Sequence, residues 1–265
     1  MAKFNGPFDF SGSVGGYVVY RLPGIDKMIV RTKGEVLKKK RKKSPSYSLV
    51  RKYEAEFGGR GTATSWIRAA LRPQTALIKF SAAFKLNPLL KTLQVMDSSS
   101  PLGRRAVLFS KGAEILNGFC LTQTAPFDSI ILNPIQCSLS KQSLSALVNI
   151  PALLPGINFN TNGREGMYKI VATLGVVPDL HYNGKKYAPV NDYTKGGRVT
   201  AAETNWYPVK KGSPDSALTL EITNQPPDTG FALLLSIGIR FGTMIGTNDV
   251  VSSDMPGVAM ILKTV

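Results

Sequence analysis

From residue 119 onward the chain is cut into short apolar runs by turn-forming pairs, and this rhythm constrains the fold more than any other feature. Runs at 130–132, 144–150, 167–174, 218–222, 231–241 and 258–262 alternate with Asn133-Pro134, Pro155-Gly156, Asn162-Gly163, Asn183-Gly184, Gly196-Gly197 and Pro226-Pro227-Asp228. Apolar runs of this length bounded by Gly, Pro and Asn read as strands, and Asn-Gly is a tight-hairpin signal. Residues 217–223 (Ala-Leu-Thr-Leu-Glu-Ile-Thr) alternate apolar and polar, as a strand with one wet face does. Residues 231–239 are apolar almost throughout and end at Arg240, too short to span a bilayer, so they read as a buried strand. The expectation for 119–265 is an antiparallel β-sandwich of about seven strands, Ig-like or jelly-roll.

The first part of the chain has a different grammar. Residues 14–21 are rich in β-branched and aromatic side chains, Leu22-Pro23-Gly24 supplies a turn, and 27–32 reads as a return strand. Tyr17, Val19 and Arg21 share one face of this β-hairpin, Val18 and Tyr20 the other. A lone two-stranded hairpin is marginal in water. With apolar bulk on both faces, this one needs a helix, a sheet or another subunit as cover. Tyr17, Val18, Val19, Tyr20, Met28, Ile29 and Val30 are therefore the candidate assembly residues. Ser44-Pro45-Ser46 marks a helix start, and Tyr47, Val50, Tyr53 and Phe57 follow at helical spacing. Gly58, Gly59 and Gly61 are expected to end that helix, with a second over 62–71 stopped by Pro73. Helical signal returns at 75–84 and at 88–96, with Pro88 suited to a first turn. Residues 102–116 read as a short helix or strand. The fold class is thus α+β: an N-terminal β-hairpin plus short helices over 1–118, then the sandwich over 119–265.

Charge follows the same division. Of the formal net charge of +16, residues 1–115 hold 22 Lys+Arg against 7 Asp+Glu, and residues 116–265 hold 11 against 10. Such asymmetry points to an anionic partner for the first part. The six consecutive bases Lys38, Lys39, Lys40, Arg41, Lys42 and Lys43, with Arg51 and Lys52, form a candidate polyanion-binding site. Lys33, Arg60, Arg68 and Arg72 would add charge, and Tyr47, Tyr53 and Trp66 stacking surfaces. The alternative for the same run is a solvated or subunit-facing segment. No helix-turn-helix, zinc-finger, RNP or KH pattern accompanies it, so any nucleic-acid binding is expected to be sequence-tolerant and salt-sensitive.

Catalytic patterns are not found. Gly12, Gly15 and Gly16 match no phosphate-loop spacing and read as a turn or close strand packing. His181 is the single histidine, Asp179 is its nearest acid, and no serine sits in a G-x-S-x-G elbow. One histidine and two separated cysteines do not make a zinc site. Cys120 and Cys137 read as free thiols in a reducing compartment, with a single bridge as the alternative. Glu203, Asp215, Glu221 and Asp228 fall in turns or on strand exteriors and read as structural. Trp206-Tyr207-Pro208, His181-Tyr182 and Tyr187 read as loop anchors, with an aromatic ligand platform as the alternative. The opening MAKFNGPFDF lacks an apolar signal-peptide core. The expectation is a cytoplasmic protein that is not an enzyme and uses no cofactor, metal, membrane or small-molecule substrate.

Two blocks carry a family resemblance. The first is Phe10-x-Gly12-x-x-Gly15-Gly16, then Val18-x-Tyr20, Gly24-x-Asp26-Lys27 and Val30-Arg31-x-Lys33-Gly34. The second is Glu56-Phe57-Gly58-Gly59 followed by the helix at 66–71. Over residues 1–75 the chain resembles a family of uncharacterised bacterial proteins that open on this hairpin. The resemblance implies no reaction. It implies that the hairpin is the shared device and the lysine run a local elaboration. The functional expectation is a structural protein that self-associates through the hairpin module into an oligomer, filament or shell. The alternative is a nucleic-acid or polyanion binder using the basic part.

Overall fold

A computed structural model of the chain describes residues 2–4, 10–22, 27–33, 42–78, 82–122, 126–161, 166–246, 249–253 and 257–265. These fall into two compact units, Met1–Tyr53 and Glu54–Val265.

The first unit holds strands β1 (Ala2–Phe4), β2 (Gly12–Val14), β3 (Tyr17–Tyr20) and β4 (Met28–Thr32), in an antiparallel sheet of order β1-β4-β3-β2. The expected hairpin is the β3–β4 pair, in register from Tyr17↔Thr32 to Tyr20↔Ile29. Its first strand is shorter than the apolar run suggests. Gly15-Gly16 makes a two-residue turn, and the residues before it fold back as β2, pairing Val14 with Tyr17. Strand β1 adds to the other side, Ala2 opposite Val30. The hairpin is therefore the middle of a four-stranded sheet. Pro23 and Gly24, expected to turn it, lie outside the described residues.

Helix α1 (Ser48–Ala70) starts in this unit after a 3-10 turn at Pro45–Tyr47. It then runs unbroken through Gly58, Gly59 and Gly61, where the sequence suggests a stop. Interior glycine costs a helix only about 1 kcal/mol each, and packing overrides that here. A Cβ on Gly59 would stand 2.9 Å from the Tyr187 ring, so glycine is what lets the helix lie against that tyrosine. Helix α2 (Ala82–Val95) likewise begins before Pro88, which sits inside it rather than in its first turn. Residues 102–116 resolve into helix α3 (Phe109–Gly112) and a 3-10 turn at Ala113–Leu116.

The second unit contains two facing antiparallel sheets. Strands β5 (Gln136–Ser140), β6 (Ser145–Ile150) and β12 (Ser216–Glu221) form the smaller, in the order β12-β6-β5. The larger is built on the long pair β7 (Met167–Pro178) and β13 (Phe231–Ile245), in register from Phe231↔Pro178 to Gly242↔Met167. Around that pair lie β10 (Val199–Glu203), β11 (Tyr207–Pro208), β14 (Asp249–Ser252) and β15 (Val258–Thr264). A small hairpin, β8 (His181–Tyr182) with β9 (Tyr187–Ala188), closes on the expected Asn183-Gly184 turn. The run 130–132 forms no strand; Ile131 bridges to Phe159 after a 3-10 turn.

Strands β7 and β13 are buried on both faces, which is why their sequences are nearly continuous apolar runs. Tyr168, Ile170, Leu174, Leu233, Leu235 and Ile237 share one core with Val148, Ile150, Leu218 and Leu220 of the smaller sheet. Val177, Ala232 and Leu234 point the other way. They meet Ala63, Ile67 and Leu71 of α1 and its C-terminal end, Leu86, Leu90 and Leu93 of α2, and Phe109. So residues 63–121, basic in composition, pack on the neutral strands across the boundary that the change of sequence pattern sets at 118. The approach is close: a Cβ on Gly175 would lie 2.4 Å from the Ala70 carbonyl oxygen. Gln74 also reaches into the large sheet, donating to the Val171 carbonyl at 2.7 Å and accepting from Ser236 Oγ at 2.8 Å.

Candidate functional site

Register places the candidate assembly residues on definite faces of the N-terminal sheet. Tyr17 and Val19 share a face on β3; Val14 lies opposite Tyr17, and Val30 opposite Val19. Phe10 lies over the same face, its ring 3.5 Å from where a Gly12 Cβ would be. Phe10, Val14 and Tyr17 are 44%, 57% and 54% exposed. Val18 and Tyr20 occupy the opposite face with Ile29 and Arg31, and the Arg31 guanidinium stands 5.7 Å over the Tyr20 ring. Of the seven hairpin residues singled out from sequence, Tyr17 is exposed and Val18, Val19, Tyr20 and Val30 are half-buried. Met28 and Ile29 are buried and hold the sheet rather than face outward. Sequence reasoning missed Phe10 and Val14, because both precede the turn that folds β2 onto β3.

The polyanion candidates divide similarly. Lys38, Lys39, Lys40 and Arg41 lie outside the described residues. Lys42, Lys43 and Lys52 are exposed. Arg51 is half-buried, and its Nη1 donates to the Ser44 carbonyl at 2.9 Å, closing the turn before α1.

Arg60 departs most from its expected role. It is buried, its Nε donates to Asn87 Oδ1 at 2.8 Å, its Nη1 donates to Gln94 Oε1 at 2.9 Å, and it lies over the Phe57 ring. It joins α1 to α2 from a buried position. Glu56, one turn earlier and almost fully buried, accepts from the Gly103 N–H at 2.8 Å and forks onto Arg105 at 2.7 and 2.6 Å. Gln94 Nε2 donates to the Arg105 carbonyl and to Tyr187 Oη. Burial would raise the Glu56 carboxyl, but the Arg105 and Gly103 hydrogen bonds outweigh it and hold the group below the usual carboxylate range. Burial, with the Glu56 charge adding, pushes the Tyr187 phenol up to about 12. The network keeps the helical layer in one arrangement. Its sequence trace was an acid and a base four residues apart on a helix, Glu56 and Arg60, a spacing also shared by ordinary surface pairs.

The other chemical candidates are engaged structurally. Asp179 accepts from the Ser110 N–H at 2.8 Å and from Ser110 Oγ at 2.5 Å, while His181 is exposed. Asp228 accepts from Tyr193 Oη, the Gly230 N–H and Asn191. Glu203 pairs with Lys169 and Arg240 on the outer surface of the large sheet. Tyr187 is packed on α1, Tyr207 against Tyr168, and Trp206 under the Lys169 ammonium, positions that anchor loops. Cys120 and Cys137 are half-buried thiols with no disulfide between them, and burial pushes the Cys137 thiol up. Among the described residues, no helix is long and apolar enough to cross a membrane.

Comparison with protein-family models, with curated proteins and with solved structures finds no match.

Proposed function

We propose that this chain is a non-enzymatic structural protein that self-associates through its N-terminal sheet into an oligomer, filament or shell. One observation carries the reading. Phe10, Val14 and Tyr17 lie exposed on a single face, while neither buried core draws on any described residue before Ala63. A small sheet of three- to five-residue strands with an open apolar face gains stability by covering that face, and another copy can supply the cover. A head-to-tail contact between unlike surfaces of two copies propagates into rings or open filaments. We read the facing sheets of the second unit as an Ig-like or jelly-roll sandwich; the alternating buried positions of β6 and β12 against β7 and β13 support this.

Light scattering and negative-stain microscopy of the purified chain test the proposal. Ordered assemblies are expected, and deletion of residues 1–34 is expected to leave monomers. A monodisperse monomer of the full chain at tens of micromolar would sink it. The exposure of Lys42, Lys43 and Lys52 favours a second reading, polyanion binding by the basic segment. That reading predicts a gel shift with unrelated DNA and RNA that fades steeply with salt, and that is lost when 38–43 are changed to glutamine while assembly persists.

A further inference from the structure

We infer that the trough between α1 and α2 is a docking site for an acidic, amphipathic helical segment of another protein. The trough encloses about 920 Å³. Its α1 side is one face of that helix and the turn after it, running from Phe57 through Gly61, Ser65 and Arg68 to Arg72; its α2 side is Asn87, Pro88 and Lys91. Arg60 holds the walls together from behind through Asn87.

Three properties identify the occupant. Small residues, Gly61, Thr64, Ser65 and Ala69, make the floor, and small side chains at helical spacing let another helix approach closely. From Phe57 to Arg72 at the helical rise is roughly 22 Å, matching a segment of about 15 residues. Arg68, Arg72 and Lys91 stand on the rim, Lys195 donates to Ser65 Oγ beside it, and no carboxylate is among the described lining residues. The complementary ligand therefore has an apolar stripe flanked by Asp or Glu.

Other occupants fit less well. A second copy has 22 Lys+Arg against 7 Asp+Glu over residues 1–115 and 11 against 10 over 116–265, so neither part brings the acidic surplus that this cationic rim complements. A single-stranded nucleic acid would find phosphate partners but has no apolar stripe to match the small side chains of α1. A small amphiphile is usually enclosed by its site, whereas most of these lining residues are exposed to solvent along an open channel.

The test uses the full chain and a fluorescein-labelled peptide of about 16 residues with Leu and Ala on one helical face and Glu on its flanks. Controls are the same peptide with Lys replacing Glu, and an oligothymidylate. In fluorescence anisotropy the acidic peptide is expected to saturate, and to gain helicity by circular dichroism on binding. Combining Arg68→Gln, Arg72→Gln and Lys91→Gln is expected to weaken it about tenfold or more. Gly61→Leu is expected to abolish binding by filling the floor; nothing lies within 4 Å of its Cβ position, so the fold accommodates it. Far-UV circular dichroism of both variants checks that they are folded. Failure to saturate by about 1 mM, equal binding of the Lys peptide, displacement by the oligothymidylate, or unchanged affinity in the folded triple variant each overturns the inference.

Discussion

The two units solve the problem of stability in different ways. Residues 54–265 have two extensive apolar cores on either face of the β7–β13 pair, and a buried polar network in the helical layer with Glu56 and Arg60 hydrogen-bonded throughout. Residues 1–53 have strands of three to five residues, 13 Lys+Arg against 3 Asp+Glu, and an exposed apolar face. A region with its own core can be read as a folded object. The described residues of the smaller unit join neither of those cores, and its exposed apolar face is read through what could cover it, which is why the proposed assembly is assigned there.

The comparison is sharpened most by a change inside the larger unit. Leu235→Ala removes a fully buried side chain from the middle of β13 and is expected to cost about 2–5 kcal/mol in denaturant unfolding. A cost under about 1 kcal/mol would show that the two sheets are less tightly packed than their register implies.

The next effect is electrostatic. Glu56→Gln leaves Arg105 and Arg60 without their carboxylate and is expected to cost about 2–3 kcal/mol, below the range for fully buried pairs because Arg105 is partly exposed. Its pH dependence has a definite sign. Glu56 and Asp97 both titrate lower in the folded chain than in the unfolded one; in Asp97 the Ser99, Ala106 and Ser100 hydrogen bonds outweigh the effect of burial. Their stabilisation is therefore complete above the ordinary carboxylate range and is lost as pH falls through the lowered values. Acid titration of unfolding should show this loss, and Glu56→Gln with Asp97→Asn should flatten it. An unchanged slope in the double variant would place the acid sensitivity elsewhere.

Smaller effects separate three glycines of one helix. Gly58 and Gly61 face open space, so alanine at either should stabilise α1 by about 0.5–1 kcal/mol. Gly59→Ala gains the same propensity but drives a Cβ into the Tyr187 ring, for a net loss of roughly 1–2 kcal/mol by overpacking. Equal melting shifts for all three would mean that Tyr187 moves aside freely.

Those glycines also mark where the sequence stops being legible. Apolar runs announce β6, β7, β12, β13 and β15 because a buried strand must be apolar whatever its neighbours are, and Asn183-Gly184 announces the β8–β9 hairpin. Strands β5 and β10 escaped because Gln136, Ser138 and Glu203 are exposed polar positions and Thr200 a half-buried one, with no local signature. Gly59 sits inside α1 against Tyr187, 128 positions away, and local propensity carries no trace of such a contact. Arg60 was legible as a cation but not as a buried one, since its partners Asn87 and Gln94 lie on another helix. Tyr17 was legible as a candidate for the exposed face because it stands in a short β-branched run. Its neighbours Phe10 and Val14 were not, because only the fold-back at Gly15-Gly16 puts them on its face.

The smallest expected effect on stability falls on that face. Val14→Ser with Tyr17→Ser removes two exposed side chains, and exposed substitutions usually change unfolding free energy by no more than about 0.5 kcal/mol. The pair leaves Val19 and the buried Met28 and Ile29 in place, so the sheet keeps its register. Under the assembly proposal the same double change should convert the oligomer to monomers in light scattering, because a contact face loses its apolar groups whether or not they stabilise the single chain. The two readouts must therefore separate: unfolding nearly unmoved, mass collapsed. If unfolding instead shifts by more than about 1 kcal/mol in a chain already monomeric, the face is holding the single chain together. The contrast between a self-sufficient unit and one that needs a partner would then be wrong at the residues on which it rests.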